Sequence, residues 1–123
     1  KPNRLEAELL SGVPITGTDS LHRAAQTLLE TGLHRVFISL GADGVYAADQ
    51  SGSVTLPAPK AEMVSTTGCG DSFMAALTWA YLQGSDLERS ARAGLAASSL
   101  TMESAETIHP AMSEAELLRH MAL

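Results

Sequence analysis

Aromatic side chains make up only 4% of the 123 residues, so the core must be built from Ala, Leu, Val, Ile and Met. An alanine-rich core implies close packing of helices on sheet, and the scarcity of rings removes the platforms on which single-stranded nucleic acid stacks. Basic residues are also few. Against 14 Asp and Glu stand 8 Lys and Arg, for a formal net charge of −6. With no basic cluster, nucleic acid and anionic membranes are excluded as expected partners, and any phosphate must be held at a local site. The single cysteine, Cys69, excludes an intramolecular disulfide and fits a reducing compartment. No apolar run approaches the roughly 18 residues of a membrane span, and no signal-peptide pattern opens the chain. The expectation is a cytoplasmic protein with one modest core, its 45% hydrophobic content arguing against disorder. Lys1-Pro2-Asn3 has no initiator Met and reads as the middle of a domain.

Periodicity then gives an order of elements. Asn3 with Glu6 makes a capping box for a helix whose apolar face is Leu5, Leu9 and Leu10, stopped at Ser11-Gly12. Asp19 is the expected cap of a second helix reaching about Glu30, with Gly32 suited to a left-handed exit. The continuous run Val36 to Leu40 predicts a buried parallel strand. Val45–Ala48 and Ser53–Leu56 predict a hairpin around Asp49–Gly52. Three helices follow: Ser72 to about Leu82, then one capped by Asp86, then one from a Ser113/Glu116 capping box to Met121. Helix, helix, strand, hairpin and three helices describe an α/β layer fold with too few strands for a complete doubly wound sheet.

Gly68-Cys69-Gly70-Asp71 carries the chemistry. Glycines at the start of a helix let backbone N–H groups face an anion, and the helix dipole adds partial positive charge there. A carboxylate beside such a cavity can take the proton of an attacking hydroxyl. Taken alone, the four residues read first as a tight turn whose Asp71 complements the first helical turn, because short glycine motifs match often. Cys69 has no His neighbour in sequence to activate it as a nucleophile. His22, His34, His109 and His120 lack metal-ligand spacing. Met63, Met74, Met102, Met112 and Met121 read as core fillers, and Trp79 and Tyr81 as packing on the helix after the glycines.

The longer string Ser65-Thr66-Thr67-Gly68-Cys69-Gly70-Asp71 followed by Ser72-Phe73-Met74-Ala75-Ala76-Leu77 resembles the second signature of the PfkB family of ribokinase-like kinases. Asn3 and Glu6 match that family's N-x-x-E motif, and Ser39-Leu40-Gly41-Ala42-Asp43-Gly44-Val45 resembles its T-L-G-x-x-G-V segment. Lys1 to Gly12 resembles the pseudouridine-kinase branch in particular. The likeness covers nearly the whole chain, with the motifs in the family's order.

The resemblance implies the C-terminal portion of a three-layer α/β/α ribokinase-like domain over residues 1–123, its sheet incomplete and its lid absent. It implies an ATP- and Mg²⁺-dependent kinase acting on a hydroxymethyl group of a sugar or nucleoside, with pseudouridine the first choice. Asp71 would be the general base, and the Gly68, Cys69 and Gly70 amides the anion hole. Ser39, Gly41 and Gly44 would contact the nucleotide, and Asn3 and Glu6 would organise Mg²⁺ through water. The family's leading Asp is Ser65 here, which puts potassium activation in question. Where the family often has Asn near Gly94, no base contact carries over. A homodimer of the full-length protein would form through the absent lid. Two other readings stay open: a nucleotide-binding piece without turnover, and a kinase of the hydroxymethylpyrimidine type.

Overall fold

The structure is a computed structural model that describes residues 1–58, 69–102 and 113–122. They fall into two compact units, Lys1–Pro57 and Ala58–Leu123.

The first unit opens with α1 (Arg4–Ser11), and the capping box is present in full. Asn3 Oδ1 accepts the Glu6 N–H at 2.8 Å, and Glu6 Oε1 accepts the Asn3 N–H at 2.9 Å. Gly12 ends the helix in the left-handed region, at φ 73. Leu5, Leu9 and Leu10, expected to be the buried face, are instead exposed, and Ala7 is the residue α1 gives to the core. Helix α2 (Thr18–Leu29) starts one residue before its expected cap, because Ser20 and not Asp19 ties the entry. Its compact hydroxyl accepts the N–H of Thr16 at 2.8 Å and of Gly17 at 3.0 Å. Gly32 takes positive φ, as expected.

Strands β1 (Arg35–Ser39), β2 (Val45–Asp49) and β3 (Gly52–Leu56) form a sheet in sequence order, antiparallel throughout. The short link Leu40–Gly44 cannot make the dozen-residue crossover that a parallel neighbour requires, so β2 returns antiparallel on one edge of β1. The parallel pairing expected of β1 is found on its other edge, at Asn3↔Ser39, where the Ser39 N–H donates to the Pro2 carbonyl at 3.0 Å. Val36 and Ile38 of β1, with Tyr46 and Ala48 of β2, share the sheet face that packs with Leu21, Ala24, Ala25, Leu28 and Leu29 of α2. The hairpin is as expected. Asp49 Oδ1 gathers the Ser51 N–H and hydroxyl and the Gly52 N–H at 2.8–3.0 Å.

The second unit holds α3 (Cys69–Leu82), α4 (Leu87–Met102) and α5 (Glu114–Met121). Phe73, Ala76, Leu77 and Ala80 form the buried stripe of α3 at helical spacing. Met74 and Tyr81 lie off that stripe and are 44% and 71% exposed, so neither is the packing residue the sequence suggests. Trp79 and Met121 do pack, half-buried, against the alanines of α3 and α4 and Leu117 of α5. Met63, Met112 and the Met102 side chain lie outside the described residues. Asp86 caps α4 through the Arg89 N–H at 2.8 Å, and Ser113 caps α5 through the Glu116 N–H at 3.1 Å.

Among the described residues no helix is long and apolar enough to cross a membrane.

Candidate active site

In the first unit, five of the expected site residues come together. The extended segment before α1 runs along the end of β1, so that Lys1 Nζ donates to Ser39 Oγ at 3.3 Å. After Ser39 the chain makes a single 3₁₀ turn, Gly41–Asp43. Gly41 at φ 60 opens it and Gly44 at φ 97 follows it, and the Leu40 N–H donates to the Gly44 carbonyl at 2.8 Å to close the loop. Both φ values are ones that side chains with a Cβ rarely adopt, which is the local reason for glycine at each. Arg4 on α1 reaches Asp43 on the turn at 3.7 Å. The Asn3/Glu6 cap and the Ser39–Gly44 loop are thus neighbours. Spacing alone does not show this, since 38 residues separate Lys1 from Ser39.

The capping box occupies only one oxygen of the exposed Glu6 carboxylate. Mg²⁺ keeps several waters and takes few protein oxygens, so Glu6 fits a water-mediated contact. Among the described residues no group of three or more His, Cys, Asp or Glu could hold a metal ion by itself. His22 Nδ1 lies 2.7 Å from the Tyr46 hydroxyl, which gives that histidine a structural partner, and His109 is outside the described residues.

In the second unit, α3 starts three residues earlier than its periodicity suggests. Cys69, Gly70 and Asp71 form the first turn itself, not a loop before it. Gly70 is not among the positive-φ glycines, and it sits in the helix without a left-handed kink. First-turn N–H groups have no acceptor within their own helix and point out of its end. The Asp71 carboxylate is exposed on that turn, with Gly70 exposed before it. Gly68 and Ser65 lie outside the described residues.

Three hydroxyl or thiol contacts fix this turn to α4. Ser98 Oγ donates to the Cys69 carbonyl at 3.1 Å, Cys69 Sγ donates to the Ser98 carbonyl at 3.6 Å, and Ser72 Oγ lies 2.6 Å from Thr101 Oγ1. A helix N-terminus lowers a thiol's pKa, but burial prevails and the Cys69 thiol is pushed up. Donating to a carbonyl favours the protonated form further. The turn therefore carries a neutral sulfur, which would not repel an anion. Sequence reading missed Ser98 and Thr101; their i, i+3 spacing on one face of α4 is the signal that was there.

Gly94 of α4 lies directly against the Phe73 ring. A Cβ there would come within 2.5 Å of it. Glycine at this position therefore serves the contact between α3 and α4, whereas the family often has Asn nearby.

The model of the pfkB family carbohydrate kinases matches residues 1–115. Pseudouridine kinase of Escherichia coli (strain K12) is 37% identical over 119 residues, covering 96% of this chain and 38% of that protein. Phosphofructokinase-2 from Escherichia coli, solved in complex with potassium, superposes with a TM-score of 0.87 at 30% identity, over 98% of this chain and 39% of that one. Arabidopsis thaliana ribokinase, solved with ribose and ATP, gives 0.86 at 28% identity, over 99% of this chain and 40% of that one. The chain shares the ribokinase-like α/β fold and spans about two fifths of the length of these relatives. By its family match and these relatives, it belongs to the pfkB family of carbohydrate kinases.

Proposed function

We propose that residues 1–123 are the nucleotide-binding and catalytic portion of a cytoplasmic, ATP-dependent phosphotransferase that acts on a hydroxymethyl group of a sugar or nucleoside. The observation that carries this reading is the position of Asp71, an exposed carboxylate on the first turn of α3 in a chain of the pfkB family. In the step, the substrate hydroxyl oxygen bonds to the γ-phosphorus and the bond from phosphorus to the bridging oxygen breaks. ADP leaves with that electron pair, and Asp71 accepts the hydroxyl proton. The amides of Cys69 and Gly70, with that of Gly68 on the family resemblance, would stabilise the charge that spreads over the equatorial oxygens. The Ser39–Gly44 loop holds the nucleotide, with Gly41 and Gly44 letting its backbone approach closely. Magnesium, ordered through water by Asn3 and Glu6, would neutralise phosphate charge.

Pseudouridine is the acceptor we favour, on the 37% identity to a pseudouridine kinase and the Lys1–Gly12 string. Ser65 stands where the family has its cation-binding carboxylate, which puts a potassium requirement in question; turnover with and without potassium decides it. The test is transfer from labelled ATP, by the intact protein with magnesium, to pseudouridine, ribose, deoxyribose, fructose phosphate and a pyrimidine alcohol. Transfer to pseudouridine first supports the reading. Transfer to none of the five overturns it.

A second reading rests on the chain spanning only 38% of the pseudouridine kinase it matches. In that reading these residues bind the nucleotide without turning it over. Calorimetry with ATP and magnesium on the 123-residue chain, followed by the same transfer assay, separates the two.

A further inference from the structure

Asp71 and the amides before it can act only if the first turn of α3 is held still. That turn is the end of a helix, where the backbone frays. What holds it is side-chain chemistry from α4. Ser98 Oγ bonds the Cys69 carbonyl at 3.1 Å, and the Cys69 thiol bonds back to the Ser98 carbonyl. One turn further on, Ser72, the residue after Asp71, meets Thr101 at 2.6 Å between hydroxyl oxygens. Thr101 is 0% exposed, so its hydroxyl has been taken wholly out of water to make this contact. Burying a hydroxyl is unfavourable without a partner, and an apolar residue of the same shape would fill the space without that cost. The two α4 residues stand three apart and so lie on one face of the helix. They bracket Asp71 by binding the residues two before and one after it.

We infer that Ser98 and Thr101 are positioning residues, which fix the first turn of α3 and thereby aim the Asp71 carboxylate and the turn's amides at the transferred phosphoryl group. The inference rests on the proposed phosphotransfer for its kinetic consequence, but its structural half is independent of that reading. An ångström of misplacement in a reacting group can cost up to about 100-fold in rate. A loosened turn should therefore lower kcat far more than it raises KM for ATP.

The variants are Thr101→Val, which keeps the shape and removes the hydroxyl, Thr101→Ser, which keeps the hydroxyl, and Ser98→Ala. Cys69 is the single cysteine, so its rate of labelling by a thiol reagent reports opening of this turn without any need for activity. In Thr101→Val and Ser98→Ala, labelling should quicken by about fivefold, as expected for the loss of one net hydrogen bond. Over the same comparison kcat should fall by roughly tenfold, KM for ATP should stay within about a factor of two, and Thr101→Ser should restore both readouts. Asp71→Asn is the control: it should lower turnover by about 10²–10⁴-fold and leave labelling unchanged. If Asp71→Asn stays active, the phosphotransfer reading fails, while the labelling result still decides whether the turn is held from α4. Labelling unchanged in Thr101→Val and Ser98→Ala overturns the inference. So does a folded Thr101→Ser that labels faster while Thr101→Val labels like the original, since the role of Thr101 would then be packing alone.

Discussion

Replacing Gly94 by Ala sets two effects against each other, and the structure decides between them. In a helix interior alanine is favoured over glycine by about 1 kcal/mol, so an open position would be stabilised. At Gly94 the new Cβ would lie 2.5, 2.6 and 2.7 Å from three carbons of the Phe73 ring. Carbon pairs rest at about 3.5–4.0 Å, so α3 and α4 would have to separate by about 1 Å there. Phe73 is 3% exposed, and the α3 turn beside it is bonded to Ser98 and Thr101 of α4, so the ring has little freedom to withdraw. Overpacking of this kind costs about 1–3 kcal/mol. Subtracting the helix gain leaves Gly94→Ala destabilised by up to about 2 kcal/mol. Trp79 is the single tryptophan and belongs to the second unit, so its fluorescence follows that unit through urea unfolding. With a slope of about 2 kcal/mol per molar urea, the midpoint should fall by up to about 1 M. Phe73→Leu combined with Gly94→Ala should recover at least about 0.5 kcal/mol relative to the sum of the single effects. A Gly94→Ala protein more stable than the original by about 1 kcal/mol would show that helix propensity wins and that the two helices are not in close contact here.

Gly44 has φ 97 and ψ −133, so Gly44→Ala should cost about 1–3 kcal/mol in urea unfolding and weaken ATP binding in calorimetry; unchanged values in both would refute the role of this loop. Asn3→Ala should cost about 1 kcal/mol while Asn3→Asp, an equally good cap, costs little; equal losses would show that the cap is not what Asn3 provides. The Ser51 hydroxyl, then the Ser51 and Gly52 N–H groups, hold the Asp49 carboxyl below its usual value. Its contribution to stability is therefore complete above the ordinary aspartate value of about 3.9 and lost as pH falls through the lower folded one; an NMR titration midpoint above about 3.9 would contradict this. The Cys69 thiol, pushed up by burial, should label slowly, with its pH midpoint above the ordinary range near 8.5; a midpoint below that would mean the helix N-terminus prevails.

The sequence carried the local structure well because local signals set it. Asn3 and Glu6 announce α1, Gly12 ends it, Asp86 and Ser113 cap their helices, and Asp49 to Gly52 turn the hairpin, all by contacts within four residues. It failed where the outcome depends on what an element packs against. The Leu5, Leu9 and Leu10 stripe is apolar yet exposed, and the buried stripe of α3 leaves out Met74 and Tyr81. The apolar run of β1 signalled a parallel neighbour, which it has at Asn3↔Ser39, but not the antiparallel β2 that the short Leu40–Gly44 link sets on its other edge. For the site, residue types were legible and neighbours were not. No pattern in one dimension joins Lys1 to Ser39, or Ser72 to Thr101 across 29 residues. Ser98 and Thr101 of α4 gain a role only once the facing turn of α3 is in view.

The most direct test is Asp71→Asn in the intact protein, measured as single-turnover transfer from ATP to the acceptor it prefers. A general base contributes about 10²–10⁴-fold, so the rate should fall within that range while the Kd for ATP stays within a factor of about two. The result that would contradict the assignment is turnover within a factor of a few of the original protein, because another group would then have to take the hydroxyl proton.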